Sequence, residues 1–272
     1  MFDAYSFTFA GVSSEVYGLN IYDFGGQGQK PVSFGNKASI VETRLIKRVQ
    51  PIHYGVNYHA SPLEFTLIFG SLEESLDRFD MEEIALWLTG HQDYQWLSID
   101  QPDLEHCQFR CLITQLTPIH HGWLPYAFEA VVRCDCPYAY GYPFEYTETV
   151  SGDDYTNILF RNEGSCHEYL RPMIVLTKTG GTPSYISITN NSDRYRMFEL
   201  DGIPADAWSK GKINIDCNNG MIYTSSKNND DLYQCFNMVF PRFVQGDNEL
   251  VIDSDVSFDM TISGRFLYNV AG

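Results

Sequence analysis

"DMEEIALWLTGHQDYQWLSID", residues 80–100, decides how the rest of the chain is read. Its first half carries helix signals. Asp80 is placed to cap a helix, its carboxylate accepting from a backbone N–H two or three residues on. Glu83 stands where it can bond back and complete a capping box. Glu82 and Glu83 put negative charge at the positive end of the helix dipole. Ile84, Trp87 and Leu88 follow at i, i+3 and i+4 as one apolar face. Gly90 suits the left-handed conformation in which many helices end. The spacing predicts a helix near 80–89 whose Ile84, Trp87 and Leu88 either pack on the core or meet a neighbouring subunit. From "QWLSI" (95–99) onward the pattern switches to that of a strand.

Strand and turn patterns lie on both sides of this helix. Residues 2–9 alternate, so a strand is expected from the start, and the acidic residue at position 3 does not suit the basic opening of an export signal. "FTFAGVSSEVYGLNIYDF" (7–24) reads as two β runs joined by a Gly/Ser turn. "ASIVETRLIKRVQPIHYGVNYHASPLEFTLIFGS" (38–71) reads as two long strands about a turn at Pro51–Gly55. After the helix, "QFRCLITQLTPIH" (108–120) and "AFEAVVRCD" (127–135) are strands, with turns at "QPD" and "HHGWLP". At "CPYAYGYP" (136–143) two prolines and a glycine stand among aromatics. Pro137 and Pro143 cannot donate to a ladder, which places a boundary between a domain 1–137 and a domain 138–272. Beyond it, "YISITN", "YRMFELDG", "GKINIDCNNGMIY", "CFNMVFPRFVQGDNELVID" and "VSFDMTISGRFLYNV" are short segments separated by Asn, Gly and Asp turns, all read as β. Their regular spacing predicts a β-sandwich. The last segment, "FLYNVAG", is the one expected to be able to return to the first domain.

The composition narrows the function classes. A net charge of −17 repels phosphate backbones, which argues against nucleic-acid binding and suits a wall past which nucleic acid moves without sticking. No run approaches the apolar length of a membrane-spanning helix. The seven cysteines, at 107, 111, 134, 136, 166, 217 and 235, are odd in number. With no export signal they are expected as thiols made in a reducing cytoplasm, mostly small buried hydrophobes, and no structural disulfide is expected. Cys134 and Cys136 share a strand face, and neither they nor Cys107 and Cys111 form the C-x2-C doublet of a zinc site.

The search for catalysis finds no G-x-S-x-G elbow and no H-E-x-x-H. Adjacent His120 and His121 face opposite sides of a strand. "GGQGQKP" (25–31) lacks the Lys-Ser/Thr ending of a phosphate loop. Glu73–Glu74 and Glu82–Glu83 read as solvated or capping residues. Asp153–Asp154 and Asp230–Asp231 sit in polar loops whose oxygens suit calcium, without EF-hand spacing. No catalytic, metal-binding or cofactor-binding residue is assigned.

The order of these pieces resembles one family. An "F-x-F-x-G-x-x-S" opening strand, "LEFTLIF", a single helix with "I-x-x-W-L", "WLSID" and the aromatic "CPYAYGYP" junction are similar to the N-terminal half of siphophage distal tail proteins. "INIDCNNGMIY" followed by "FPRFVQGDNELVI" resembles the family's C-terminal half. The resemblance runs along nearly the whole chain, without the large insertion by which some members hold receptor-binding proteins. It implies a mainly β fold: an N-terminal β-sandwich or barrel-like domain with one α-helix, then a galectin-like β-sandwich. It implies a structural virion protein, not an enzyme, forming a six-fold ring at the tail tip. The implied partners are further copies of itself, the tail tube protein, the tail-associated hub or fibre protein and receptor-binding or side-fibre proteins, with DNA passing through the lumen. Synthesis is expected in the host cytoplasm. The competing reading is a carbohydrate-binding module or lectin in which Tyr138, Tyr140, Tyr142 and Trp208 stack on sugar faces.

Overall fold

The computed structural model describes residues 6–24, 38–44, 49–58, 61–71, 75–121, 123–224 and 230–270. The loop at 25–31, Glu73–Glu74 and the first five residues lie outside them. The chain divides into two compact units. The first comprises Met1–Tyr140 with Tyr268–Gly272, and the second Gly141–Leu267.

In the first unit the described strands are β1 (Phe7–Phe9), β2 (Val12–Ser13), β3 (Leu19–Phe24), β4 (Ala38–Thr43), β5 (Ile52–Tyr58), β6 (Glu64–Ser71), β7 (Gln95–Ile99), β8 (Cys107–His121) and β9 (Leu124–Cys134). Seven of them run in the order β2-β1-β7-β8-β9-β6-β3, and β4 and β5 form a separate two-stranded ribbon. The 38–71 stretch therefore holds three strands where two were read. Gly55 does not turn the chain. It sits inside β5 at φ 145°, where the register against β4 shifts, so it makes a bulge that only glycine adopts without strain.

The helix α1 runs Arg78–Thr89, and its cap lies one turn earlier than the sequence suggested. Asp77 is the N-cap. Asp80 N–H donates to Asp77 Oδ1 at 2.8 Å, and Asp77 N–H donates to Asp80 Oδ2 at 3.0 Å. Asp80 is thus the returning partner of the box rather than its cap, because an acid three residues upstream offers the same geometry and adds a turn of helix. Gly90 is not left-handed. Its φ is −76° and its N–H donates to the Leu86 carbonyl at 2.9 Å. A Cβ there would stand 2.4 Å from that carbonyl oxygen, so close approach, not handedness, makes glycine suitable.

Ile84, Trp87 and Leu88 are all buried in the first unit's core. The Trp87 indole stacks on Phe7 at 5.7 Å and on Tyr17 at 4.9 Å, and its Nε1–H donates to the Phe9 carbonyl at 3.1 Å. Through this side chain the helix packs on β1.

The second unit contains most of β10 (Ala139–Val150), then β11 (Thr156–Asn162), β12 (Met173–Lys178), β13 (Tyr185–Asn190), β14 (Arg196–Asp201), β15 (Lys212–Asp216), β16 (Met221–Thr224), β17 (Gly246–Ser254) and β18 (Phe258–Tyr268). One sheet orders them β16-β15-β12-β18-β10 and the other β11-β17-β13-β14. Inward residues alternate along each strand, as in Ile174 and Leu176, Ile213 and Ile215, Ile186 and Ile188, and Leu250 and Ile252. All of these join one core cluster, which is sandwich packing.

Two readings of this half need correction. The break at "CPYAYGYP" is confined to Cys136–Tyr138: β10 begins at Ala139 and runs through Pro143, because proline withholds one N–H yet its φ suits extended backbone. The half is not all β either. Asp230–Cys235 forms a second short helix, α2, which buries Leu232 completely. A helix of six residues is too brief to show a helical period.

Candidate functional site

Among the described residues no group of three or more His, Cys, Asp or Glu side chains is placed to hold a metal ion. The loop acids have local uses: Asp154 Oδ1 accepts from the Tyr155 N–H at 2.8 Å. The side chains of Asp230 and Asp231 lie outside the described residues.

The residues proposed for sugar stacking are mostly committed elsewhere. Trp208 is 0% exposed and its Nε1–H donates to the Pro183 carbonyl at 2.9 Å. Tyr138 is buried. Tyr140 meets the edge of Trp96 at 5.4 Å and its hydroxyl donates to Asp135 at 3.1 Å. Burial first, then Cys136 and Asp135, hold the Tyr140 phenol far above its ordinary range. Only Tyr142, half exposed, keeps a ring toward solvent. A stacking platform needs an open ring face, so Trp208, Tyr138 and Tyr140 drop out of that role. Sequence reading left stacking open as the competing role because aromatic character does not report burial.

Among the described residues, the first unit's surface carries several exposed apolar groups. The ribbon β4–β5 presents Ile40, Val41 and Tyr54 to solvent, with Val49 beside it. A two-stranded ribbon is marginal by itself in water, and its unpaired edges invite another chain. Where β8 gives way to β9, Trp123 is 97% exposed, with Leu124 and Ile119 also exposed. The outer face of α1 shows Phe79 and Leu86. Scattered exposed apolar groups are ordinary, whereas large contiguous ones are the kind of surface that contacts use. The sequence reading passed over Trp123 because "HHGWLP" was classed as a turn. A tryptophan in a turn was the available signal.

Beside α1 a cleft of about 670 Å³ is lined by Val16, Tyr17, Asn20, Leu76, Asp80 and Glu83 among others. Asp80 is engaged in the helix cap.

The chain matches a family model described as a phage tail protein N-terminal domain over residues 2–136, and one described as a phage tail C-terminal domain over residues 138–263. Among solved structures it is similar to the SPP1 Dit (gp 19.1) protein, described as a paradigm of the hub adsorption apparatus in phages infecting Gram-positive bacteria. That match has 12% identity and a TM-score of 0.65, and covers 97% of this chain and 100% of that one. Chains of the phage P2 baseplate in its activated conformation with Ca also align, at 8% identity and a TM-score of 0.42, over 90% of each chain. No curated protein matches the chain in sequence.

Proposed function

We propose a tail-tip role for this chain, which belongs to the phage tail protein family. The proposed role is structural, without catalysis. Six copies form a ring at the end of a long non-contractile tail, joining the tail tube protein to the hub or fibre protein and leaving a channel for DNA. The site of action is the virion tail tip, after synthesis in the host cytoplasm. The observation that carries this reading is that both halves of the chain keep the fold of the SPP1 hub protein over that protein's full length.

Two features agree with it. The ribbon β4–β5 and the Trp123 hairpin offer the first unit apolar surface for neighbouring copies. The charge of −17 lets DNA pass a lumen without adhering. We assign ring formation to the first unit and peripheral attachment to the second, divided near residue 137.

Light scattering and negative-stain microscopy test the reading. Six copies of the 31.1 kDa chain form a ring of about 187 kDa. A particle that stays monomeric at micromolar concentration, both alone and with its tail-tube neighbour, overturns the ring.

A further inference from the structure

Three cysteines converge where β8 and β9 meet. Cys111 and Cys134 are direct partners across the two strands, and Cys136 follows two residues after Cys134. The hydrogen bonds identify the kind of pair. Asp135 N–H donates to the Arg110 carbonyl at 3.0 Å, so residues 110 and 135 form the hydrogen-bonded pair. Cys134 N–H points the other way, to the Leu63 carbonyl of the strand beyond, at 2.8 Å. Cys111 and Cys134 are therefore the adjacent non-hydrogen-bonded pair. Such pairs hold their Cα atoms about 4.5 Å apart with the side chains drawn together, inside the roughly 4.4–6.8 Å that a disulfide spans. The register is regular from Cys111 to Ile113, with its first shift beyond that point, so no bulge turns the two side chains apart.

All seven cysteines of the fold are thiols. Cys111 and Cys134 are buried at 0% and 1% exposure, whereas Cys136 is only partly buried. Burial, and then neighbouring charge, holds the Cys111 thiol well above its ordinary range and pushes Cys134 up to about 12. Cys111 and Cys134 are each within electrostatic reach of the other, as are Cys134 and Cys136. Cys136 Sγ–H donates to the Tyr138 carbonyl at 3.1 Å.

We propose that Cys111 and Cys134 are a latent disulfide site, oxidised by an external small-molecule disulfide that enters through Cys136. The Cys136 thiolate attacks one sulfur of the external disulfide, forming a mixed disulfide and releasing one small thiol. Cys134 then attacks the Cys136 sulfur and displaces the second small thiol by way of a transient Cys134–Cys136 link. Cys111 attacks Cys134 and returns Cys136 to a thiol. In sum, two protein thiols are oxidised to one disulfide and the external disulfide is reduced to two thiols. The partly exposed thiol is needed because exchange starts from a thiolate with access to solvent, which the buried pair lacks. The link would staple the hairpin that ends in Trp123, on a protein folded under reducing conditions and later exposed to oxidising ones.

The test is to incubate the native full chain with oxidised glutathione, alkylate the remaining thiols in denaturant and map the peptides. The expected result is a single link between the Cys111 and Cys134 peptides, two fewer alkylated cysteines than seven, and reversal by dithiothreitol. The oxidised form should melt several degrees higher, because the link closes the hairpin loop in the unfolded chain. Cys136→Ser should slow formation of the link tenfold or more while leaving the end product the same. Glutathione retained on Cys136 with Cys111 and Cys134 both alkylated overturns the site, as does a link between any other pair. An unchanged rate in the Cys136→Ser protein overturns its role as the entry point.

Discussion

Trp208 and Trp123 show how the two units differ. In the second unit the Trp208 ring is fully enclosed with its N–H satisfied. Around it the polar groups are equally settled. Arg242 grips buried Asp193 at 2.6 and 3.2 Å and lies 3.8 Å above the Tyr169 ring. Buried Asn248 bonds to Asn190, to the Val244 N–H and carbonyl, and to the Gly246 carbonyl. This unit also exposes Tyr142, Tyr155, Leu159, Tyr195, Met197, Met221, Tyr223 and Met238; Leu159 sits on a strand of a four-stranded sheet, and the Met238 segment is tied to β14 through Asn237. In the first unit Trp123 stands almost wholly in water at the end of a long hairpin, and the ribbon β4–β5 shows exposed Ile40, Val41 and Tyr54. Among the described residues the second unit encloses its tryptophan, whereas the first leaves one in solvent, and the proposed ring gives that exposed surface a use.

Substitution of the buried tryptophans puts the largest strain on this comparison. Trp208→Ala should destabilise the second unit, and Trp87→Ala the first, each by about 3–5 kcal/mol. Calorimetry should show each change lowering one of two transitions and sparing the other. A joint fall of both transitions in either variant would mean that the units do not hold separate cores.

Alkaline titration separates the units next. In the first unit, burial raises Cys107 to about 11 and Cys134 to about 12 from 9.0, and holds Cys111 higher still. In the second, burial raises Cys217 to about 12. A raised folded pKa gives stability that is fully present below the unfolded value near 9 and is lost as pH climbs through the folded one. Each such thiol therefore lowers stability by roughly 1 kcal/mol per pH unit from 9 up to its own folded value, where the loss levels off. The first unit should lose stability faster between pH 9 and 11 in thermal melts followed by circular dichroism. Equal slopes would contradict the burial of its three thiols.

Asp193→Ala should cost the second unit about 1–3 kcal/mol, because it strands the partly exposed Arg242 guanidinium and removes two charge-assisted bonds. Denaturant titration checks this, and no loss would show the Asp193 carboxylate to be dispensable to the core. Asp77→Ala should cost the first unit about 1 kcal/mol through the lost helix cap, whereas Glu83→Ala should cost less. The reverse order would restore the cap to Asp80. Trp123→Ser should leave the melting of the chain within about 0.5 kcal/mol while weakening self-association in light scattering. Intact assembly would remove the hairpin tip from the contact surface.

Much of the fold was legible along the chain. The apolar spacing of Ile84, Trp87 and Leu88 placed the helix, and "QWLSI", "YISITN" and "KINID" each coincide with a strand. These signals are local: a helix or strand half-buried on one face writes its period into consecutive residues. Short or exceptional elements were not legible in the same way. The helix Asp230–Cys235 has no room for a period, and Pro143 and Gly55 read as breaks yet lie inside strands.

By itself the sequence determined the β-rich class, the acidic balance, the presence of one substantial helix and the order of pieces that resembles a tail protein. Only the tertiary structure decided which of two acids caps that helix. It also decided that Trp87 and Trp208 are enclosed while Trp123 is not, and that Cys111 faces Cys134. The reason is physical. Period and charge are properties of neighbours along the chain, whereas burial and cross-strand register are set by residues far apart in sequence that meet only when the sheets pair.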